Sequence, residues 1–132
     1  MYNKATLLGN LGADPETSTT GSGSKVCTFR LATSESWTGK SGEKQEKTEW
    51  HRIVVFDRLA ELCAQYLRKG RQVLVEGRIQ TREWEQDGQR RWTTEIVGRT
   101  VKFLGRGGED ESPQRKPQRQ SKNPYQDDDI PF

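Results

Sequence analysis

Apolar residues recur along the first hundred positions with two periods, and the change between them divides the chain into elements. "KATLLGNLG" is a short apolar run closed by glycines and predicts a strand. The Pro, Gly, Ser and Thr of "ADPETSTTGSGSK" predict a loop after it. In "VCTFRLATSES" Cys27, Phe29 and Leu31 alternate with polar positions, which predicts a second strand. The polar "WTGKSGEKQEK", with Gly39 and Gly42, reads as the connection to a third strand, "TEWHRIVVF". The period then changes. In "DRLAELCAQYLRKG" the residues Leu59, Leu62, Cys63, Tyr66 and Leu67 fall at helical spacing. Asp57 is placed to cap this helix, Arg68 and Lys69 to occupy its last turn, and Gly70 to end it. "RQVLVEGRIQTREW" and "RRWTTEIVGRTVKFL" are two further strands, joined through Asp87-Gly88, a hairpin turn signal.

The predicted order is β-β-β-α-β-β. An all-β domain with one helix between its third and fourth strands matches an OB-fold, a five-stranded Greek-key barrel. A β-sandwich or an SH3-like barrel produces a similar string. Periodicity stops after Leu104. Gly105 to Gln126 contains a single apolar residue, Tyr125, among Gly, Pro, Gln and charges, which predicts a disordered linker. The sequence finishes on "DDDIPF". Three parts are therefore expected: a folded domain over 1–104, a linker over 105–126, and an acidic tip over 127–132.

Composition agrees with one domain and a tail. A chain of 132 residues with 30% hydrophobic and 31% charged residues would suggest disorder if these were evenly spread, but the apolar residues are concentrated before Leu104. Met1 to Leu104 carries 17 Lys/Arg against 13 Asp/Glu, whereas Asp127 to Phe132 carries three aspartates and no base. The body is mildly basic and the tip acidic. Cys27 and Cys63 stand 36 residues apart with no metal-ligand spacing, so both read as small buried apolar side chains. No run approaches the ~20 apolar residues that span a bilayer, and no leader pattern opens the chain, so a soluble cytoplasmic protein is expected.

Candidate chemistry lies on two strands. In "WHRIVVF" alternation places Trp50, Arg52, Val54 and Phe56 on one face and His51, Ile53 and Val55 on the other, which is the natural core face. In the fourth strand Arg78, Gln80, Arg82 and Trp84 share a face, opposite Val73, Val75, Gly77 and Ile79. Aromatics interleaved with bases suit single-stranded nucleic acid, whose bases stack on aromatic faces and whose phosphates meet Lys and Arg. Trp37, Trp50, Phe56 and Trp84 are the stacking candidates, and Arg52, Arg58, Lys69, Arg78 and Arg82 the phosphate candidates. Trp92 is in phase with Thr94 and Ile96, so a core or rim position fits it as well as a base contact. The lone His51 reads as structural. Without paired histidines, a Walker loop or a nucleophile motif, neither an enzyme nor a metal or other cofactor is expected.

Taken in order, "LATSESW", "TEWHRIVVF", "YLRKG", "VEGRIQTREW" and "DDDIPF" closely resemble the bacterial single-stranded DNA-binding protein family. The resemblance runs from Met1 to Leu104 and returns over Asp127 to Phe132. It implies an OB-fold subunit in a homotetramer that wraps single-stranded DNA (ssDNA) without reading its sequence, acting in replication, recombination and repair. It also implies base stacking by Trp37, Trp50, Phe56 and Trp84, and a place near the subunit interface for His51. The short linker carries Arg115, Lys116, Arg119 and Lys122, and Glu83 stands where many relatives have a base.

The tip follows different chemistry. Phosphates repel it, and a purely solubilising tail has no use for Ile130 and Phe132. Phe132 suits a hydrophobic pocket, with Asp127, Asp128 and Asp129 on a basic rim and Ile130 and Pro131 between. The resemblance implies the same role, recruitment of partner enzymes. An OB-fold RNA-binding or primosome adaptor protein is the alternative reading, and a nuclease the rival from another class.

Overall fold

Alternation in the strand Lys25–Thr38 sends Cys27, Phe29 and Leu31 inward, and all three are buried. The same arithmetic buries Ile53 and Val55 in the strand Lys44–Phe56 and Val73 and Val75 in the strand Gln72–Gln86, so three strands turn apolar rows toward one interior. The structure, a computed structural model, describes residues 1–105. Its elements are β1 (Ala5–Leu11), β2 (Glu16–Thr19), β3 (Lys25–Thr38), β4 (Lys44–Phe56), α1 (Asp57–Tyr66), β5 (Gln72–Gln86) and β6 (Gln89–Leu104).

The strands close into a barrel in the order β1-β5-β6-β4-β3, and β3 returns to β1 at Asn10↔Ala32 and Leu11↔Leu31. All pairings are antiparallel except β4 with β6, which run parallel at Ile53↔Ile96 and Val54↔Val97. The expected OB-type barrel with one helix is what forms. Helix α1 adds Ala60 and Cys63, and Leu67 just past its end, to the core formed by Leu11, Phe29, Leu31, Ile53, Val73 and their neighbours. Burial of each large apolar side chain contributes about 1.5–3 kcal/mol. Burial also raises the Cys27 thiol and pushes Cys63 up to about 12, with Cys27 adding to the effect.

The β5–β6 hairpin turns where expected. Gln86 pairs with Gln89, and Asp87 and Gly88 both take positive φ (53° and 77°), the geometry of a two-residue type I′ turn. A register shift at Glu76/Gly77 bends β5 where it leaves the barrel, and a Cβ at Gly77 would meet the Val97 carbonyl.

Several boundaries differ from expectation. β2 is a sixth strand within the stretch read as a loop. All four of its residues are exposed and it pairs only with the edge of β3, so it leaves no alternating apolar signature. The polar connection after Glu35 is mostly strand as well: β3 runs to Thr38 and β4 begins at Lys44, forming a ribbon exposed on both faces that apolar periodicity cannot reveal. Asp57 does not cap α1. It is the first helical residue, with φ of 57°, and the N-cap is Phe56 without a side-chain hydrogen bond. The helix ends at Tyr66, so Arg68, Lys69 and Gly70 lie beyond its last turn. Gly70 instead donates its N–H to the Leu11 carbonyl. Ile79, expected inward, is exposed, because the ribbon has left the barrel at that point. Val54, expected outward, is only 6% exposed.

Candidate nucleic-acid interface

Trp50, Arg52 and Phe56 occupy alternate positions of β4 and share its outer face. The parallel pairing of β4 with β6 at Ile53↔Ile96 brings Arg52, one residue earlier, to Glu95, with which it hydrogen-bonds. The antiparallel register with β5 then pairs Glu95 with Gln80, Thr93 with Arg82 and Arg91 with Trp84. Three contiguous strands thus bring Trp50, Arg52, Arg82 and Trp84 onto one face. The aromatic rings remain accessible, with Trp50 53%, Phe56 40% and Trp84 38% exposed.

Neighbours fix two of these rings. Trp84 donates its indole Nε1–H to Thr93 Oγ1 at 2.8 Å, which ties the ring to the neighbouring strand. Trp50 lies over the backbone of Gly12, and a Cβ there would clash with Cζ3 and Cη2 on the edge of its six-membered ring. Gly12 donates its N–H to the Arg30 carbonyl at 3.1 Å, so the seat of Trp50 is tied to β3. An accessible aromatic held in place from behind loses little freedom when a base stacks on it.

The charged part of the face centres on Glu95, the buried charged residue among the described residues, at 4% exposure. Arg52 Nε donates to its Oε1 at 3.2 Å, Arg82 Nε to its Oε2 at 3.1 Å, and Gln80 Nε2 to Oε2 at 3.0 Å. Arg78 joins through Gln80, donating from Nη1 to its Oε1 at 3.0 Å. A buried carboxylate is costly unless paired and hydrogen-bonded, and here both oxygens are satisfied. Glu95, Thr93 and Gly12 escaped sequence reasoning. By alternation Glu95 is out of phase with Trp92, Thr94 and Ile96 and looks like any solvated charge, whereas its burial arises from side chains on two other strands.

The remaining candidates are dispersed. Trp37 is exposed and paired with Gln45, in phase with Leu31 and Thr33 rather than with Ala32, the partner of Trp50; the structure does not bring it onto the Trp50 face. Arg58 stands in the first turn of α1, close in sequence to Phe56, and pairs with Glu61 at 3.5 Å. Lys69 donates its backbone N–H to Asp14 Oδ1 at 2.8 Å, which ties its loop to the one that carries Gly12. His51 is half-buried beside Thr33, with 2.8 Å between Nε2 and Oγ1. Trp92 is 62% exposed on the opposite side of the ribbon from Trp84, across from Glu83, which pairs with Arg90 at 3.1 Å. The core position open to Trp92 is excluded. Asp127 to Phe132 and the linker before them lie outside the described residues. Among the described residues no His, Cys, Asp and Glu group could hold a metal ion, and no helix is long and apolar enough to cross a membrane.

The model of the single-strand binding protein family matches residues 2–104. The chain belongs to that family. It is 52% identical over 105 residues to single-stranded DNA-binding protein 1 of Chlorobaculum tepidum, a match covering 78% of this chain and 65% of the relative. The chain therefore spans under two thirds of that relative's length. Among solved structures it resembles SSB from Plasmodium falciparum in complex with ssDNA, with a TM-score of 0.71 and 41% identity over 80% of this chain and 96% of that one. It also resembles a deletion variant of the single-stranded DNA-binding protein from Thermus aquaticus, with a TM-score of 0.69 and 31% identity over 79% of this chain and 51% of that one. Membership assigns the chain to a family of binding proteins, not enzymes.

Proposed function

We propose that this chain binds ssDNA without regard to sequence, protecting single strands in replication, recombination and repair. The observation that carries the reading is the shared outer face of β4, β5 and β6, where Trp50 and Trp84 flank Arg52 and Arg82 with their rings accessible. Bases stack on the indoles for ~1–3 kcal/mol each while the arginines meet phosphates. Phe56, Arg78, Lys69 and Arg58 extend the path beyond this centre, and Trp37 offers a separate stacking surface on the other face of the β3–β4 ribbon. A neighbour of similar fold that holds ssDNA supports the choice of ligand.

Three further parts complete the reading. Four copies assemble, with His51 near the contact between subunits; the exposed Tyr2, Leu8 and Ile79 are apolar surface that assembly would cover. Residues 105–126 act as a linker, and Asp127, Asp128, Asp129, Ile130, Pro131 and Phe132 dock partner enzymes of replication, recombination and repair. The protein works in the cytoplasm, on the nucleoid.

Competition for a labelled oligo(dT) tests the ligand. Unlabelled oligo(dT) should displace it at far lower concentration than a duplex or an RNA of equal length. Better competition by RNA would transfer the face to the RNA-binding alternative. Light scattering tests the assembly: the expected mass is four times the 15.1 kDa of one chain, and a monomer would refute it.

A further inference from the structure

Glu95 presents an apparent contradiction on a surface that is to bind a polyanion. A carboxylate there should repel phosphate, yet it is the charged side chain that the fold buries. Its partners resolve this. Arg52 and Arg82 reach it from two different strands, and each uses only Nε. Among the described residues no hydrogen bond occupies their terminal Nη groups, and the two side chains remain 37% and 47% exposed. The Nε edge of each guanidinium is fixed from below, and its NH2 end is left for an acceptor above. Gln80 extends the arrangement to Arg78, so one carboxylate organises three of the five phosphate candidates.

We propose that Glu95 is a positioning residue of the ssDNA face, anchoring Arg52 and Arg82 directly and Arg78 through Gln80 so that the free NH2 groups of Arg52 and Arg82, and the remaining Nη2 of Arg78, converge on the nucleic-acid backbone. The proposal rests on the ssDNA reading and adds to it a residue that touches no DNA. Arginine carries many rotamers, and ordering three of them at the moment of binding is costly. Glu95 orders them beforehand. The local charge stays positive, three guanidiniums against one carboxylate.

Glu95→Gln decides the matter by the sign of its effect. If Glu95 contributed only its charge, removing it would tighten ssDNA binding and steepen the salt dependence. If it positions the arginines, the variant binds oligo(dT) about tenfold more weakly. Its log–log salt slope also becomes shallower by roughly 0.7–1.4, the loss of one or two phosphate contacts on a single strand. Titrations of the full chain with oligo(dT) at several salt concentrations read both quantities. Tighter binding with a steeper slope would overturn the proposal.

Arg52→Lys with Arg82→Lys supplies the second test, since lysine keeps the charge but cannot bridge carboxylate and phosphate with a guanidinium edge and fork. Adding Glu95→Gln to that background should weaken binding no further. An equal loss there would show that Glu95 acts through the fold and not through the arginines. Should Glu95→Gln fail to fold, Gln80→Met, at a half-exposed position, severs only the relay to Arg78. It should make the slope shallower by about 0.7, and an unchanged slope would refute the relay. A wild-type chain that ignores oligo(dT) would defeat the parent reading at the first titration. A wild type that binds, with Glu95→Gln binding more tightly, would defeat only this proposal.

Discussion

Replacing Trp50 with alanine separates a stacking surface from a core residue. The side chain is 53% exposed, so about half of its surface is buried against Gly12 and its strand neighbours. Aromatic side chains bury ~150–250 Å² when fully enclosed, so truncation exposes roughly 100 Å². At ~25 cal/mol per Å² the cost to the fold is about 2–3 kcal/mol, an upper bound. Domains of this size hold ~5–15 kcal/mol, so Trp50→Ala should remain folded with a lowered melting temperature. Loss of one stacked base costs ~1–3 kcal/mol, which weakens oligo(dT) affinity about 5- to 150-fold. Circular dichroism checks the fold and fluorescence anisotropy reads the affinity, both at one fixed salt concentration. Unchanged affinity in a folded variant would remove Trp50 from the interface. Collapse of the fold would show that its buried half dominates.

Other perturbations probe separate parts of the account. Gly12→Ala should tilt the Trp50 indole off its seat and weaken oligo(dT) binding in the same range as Trp50→Ala; a variant that binds like wild type would show that the ring needs no such support. Phe132→Ala should leave ssDNA affinity unchanged while partner enzymes bind less, as read by surface plasmon resonance with a tip peptide as competitor; equal enzyme binding would return the tip to a solubilising role. Cys63 has a folded value, about 12, above the ordinary thiol value of 9.0, so the fold favours the neutral thiol. That contribution is fully present below pH 9.0 and is lost as pH rises toward about 12. Both thiols should resist a thiol reagent in the native protein and react on unfolding, and labelling of the native chain at mild pH would contradict their burial.

How far the sequence revealed this structure depended on whether an element has two distinguishable faces. Cys27, Phe29 and Leu31, or Ile53 and Val55, bury one face and expose the other, so the barrel strands were readable by alternation. The helix was readable from Leu59, Cys63 and Leu67, although its ends were not, since Leu67 is buried after the helix has stopped. Elements with both faces in solvent left no such mark. β2 and the outer half of the β3–β4 ribbon are held by backbone pairing with no apolar face to bury, and there "KSGEKQEK" differs little from a loop.

The site divides along the same line. Trp50, Arg52, Arg82 and Trp84 were legible because each pair lies on a single strand with period two. Their meeting depends on the parallel pairing of β4 with β6, and no local pattern encodes it. For the same reason Glu95, which joins arginines from β4 and β5, could not be told from a solvated acid, and Trp37 could not be told from the residues of the Trp50 face.

Tryptophan fluorescence during a titration with oligo(dT), at low and high salt and against a duplex of equal length, tests the central claim most directly. Strong quenching by oligo(dT), weak quenching by duplex, and loss of most of the oligo(dT) response in Trp50→Ala would place bases on the outer face of β4, β5 and β6. Absence of quenching, or an equal response to duplex, would contradict stacking on that face.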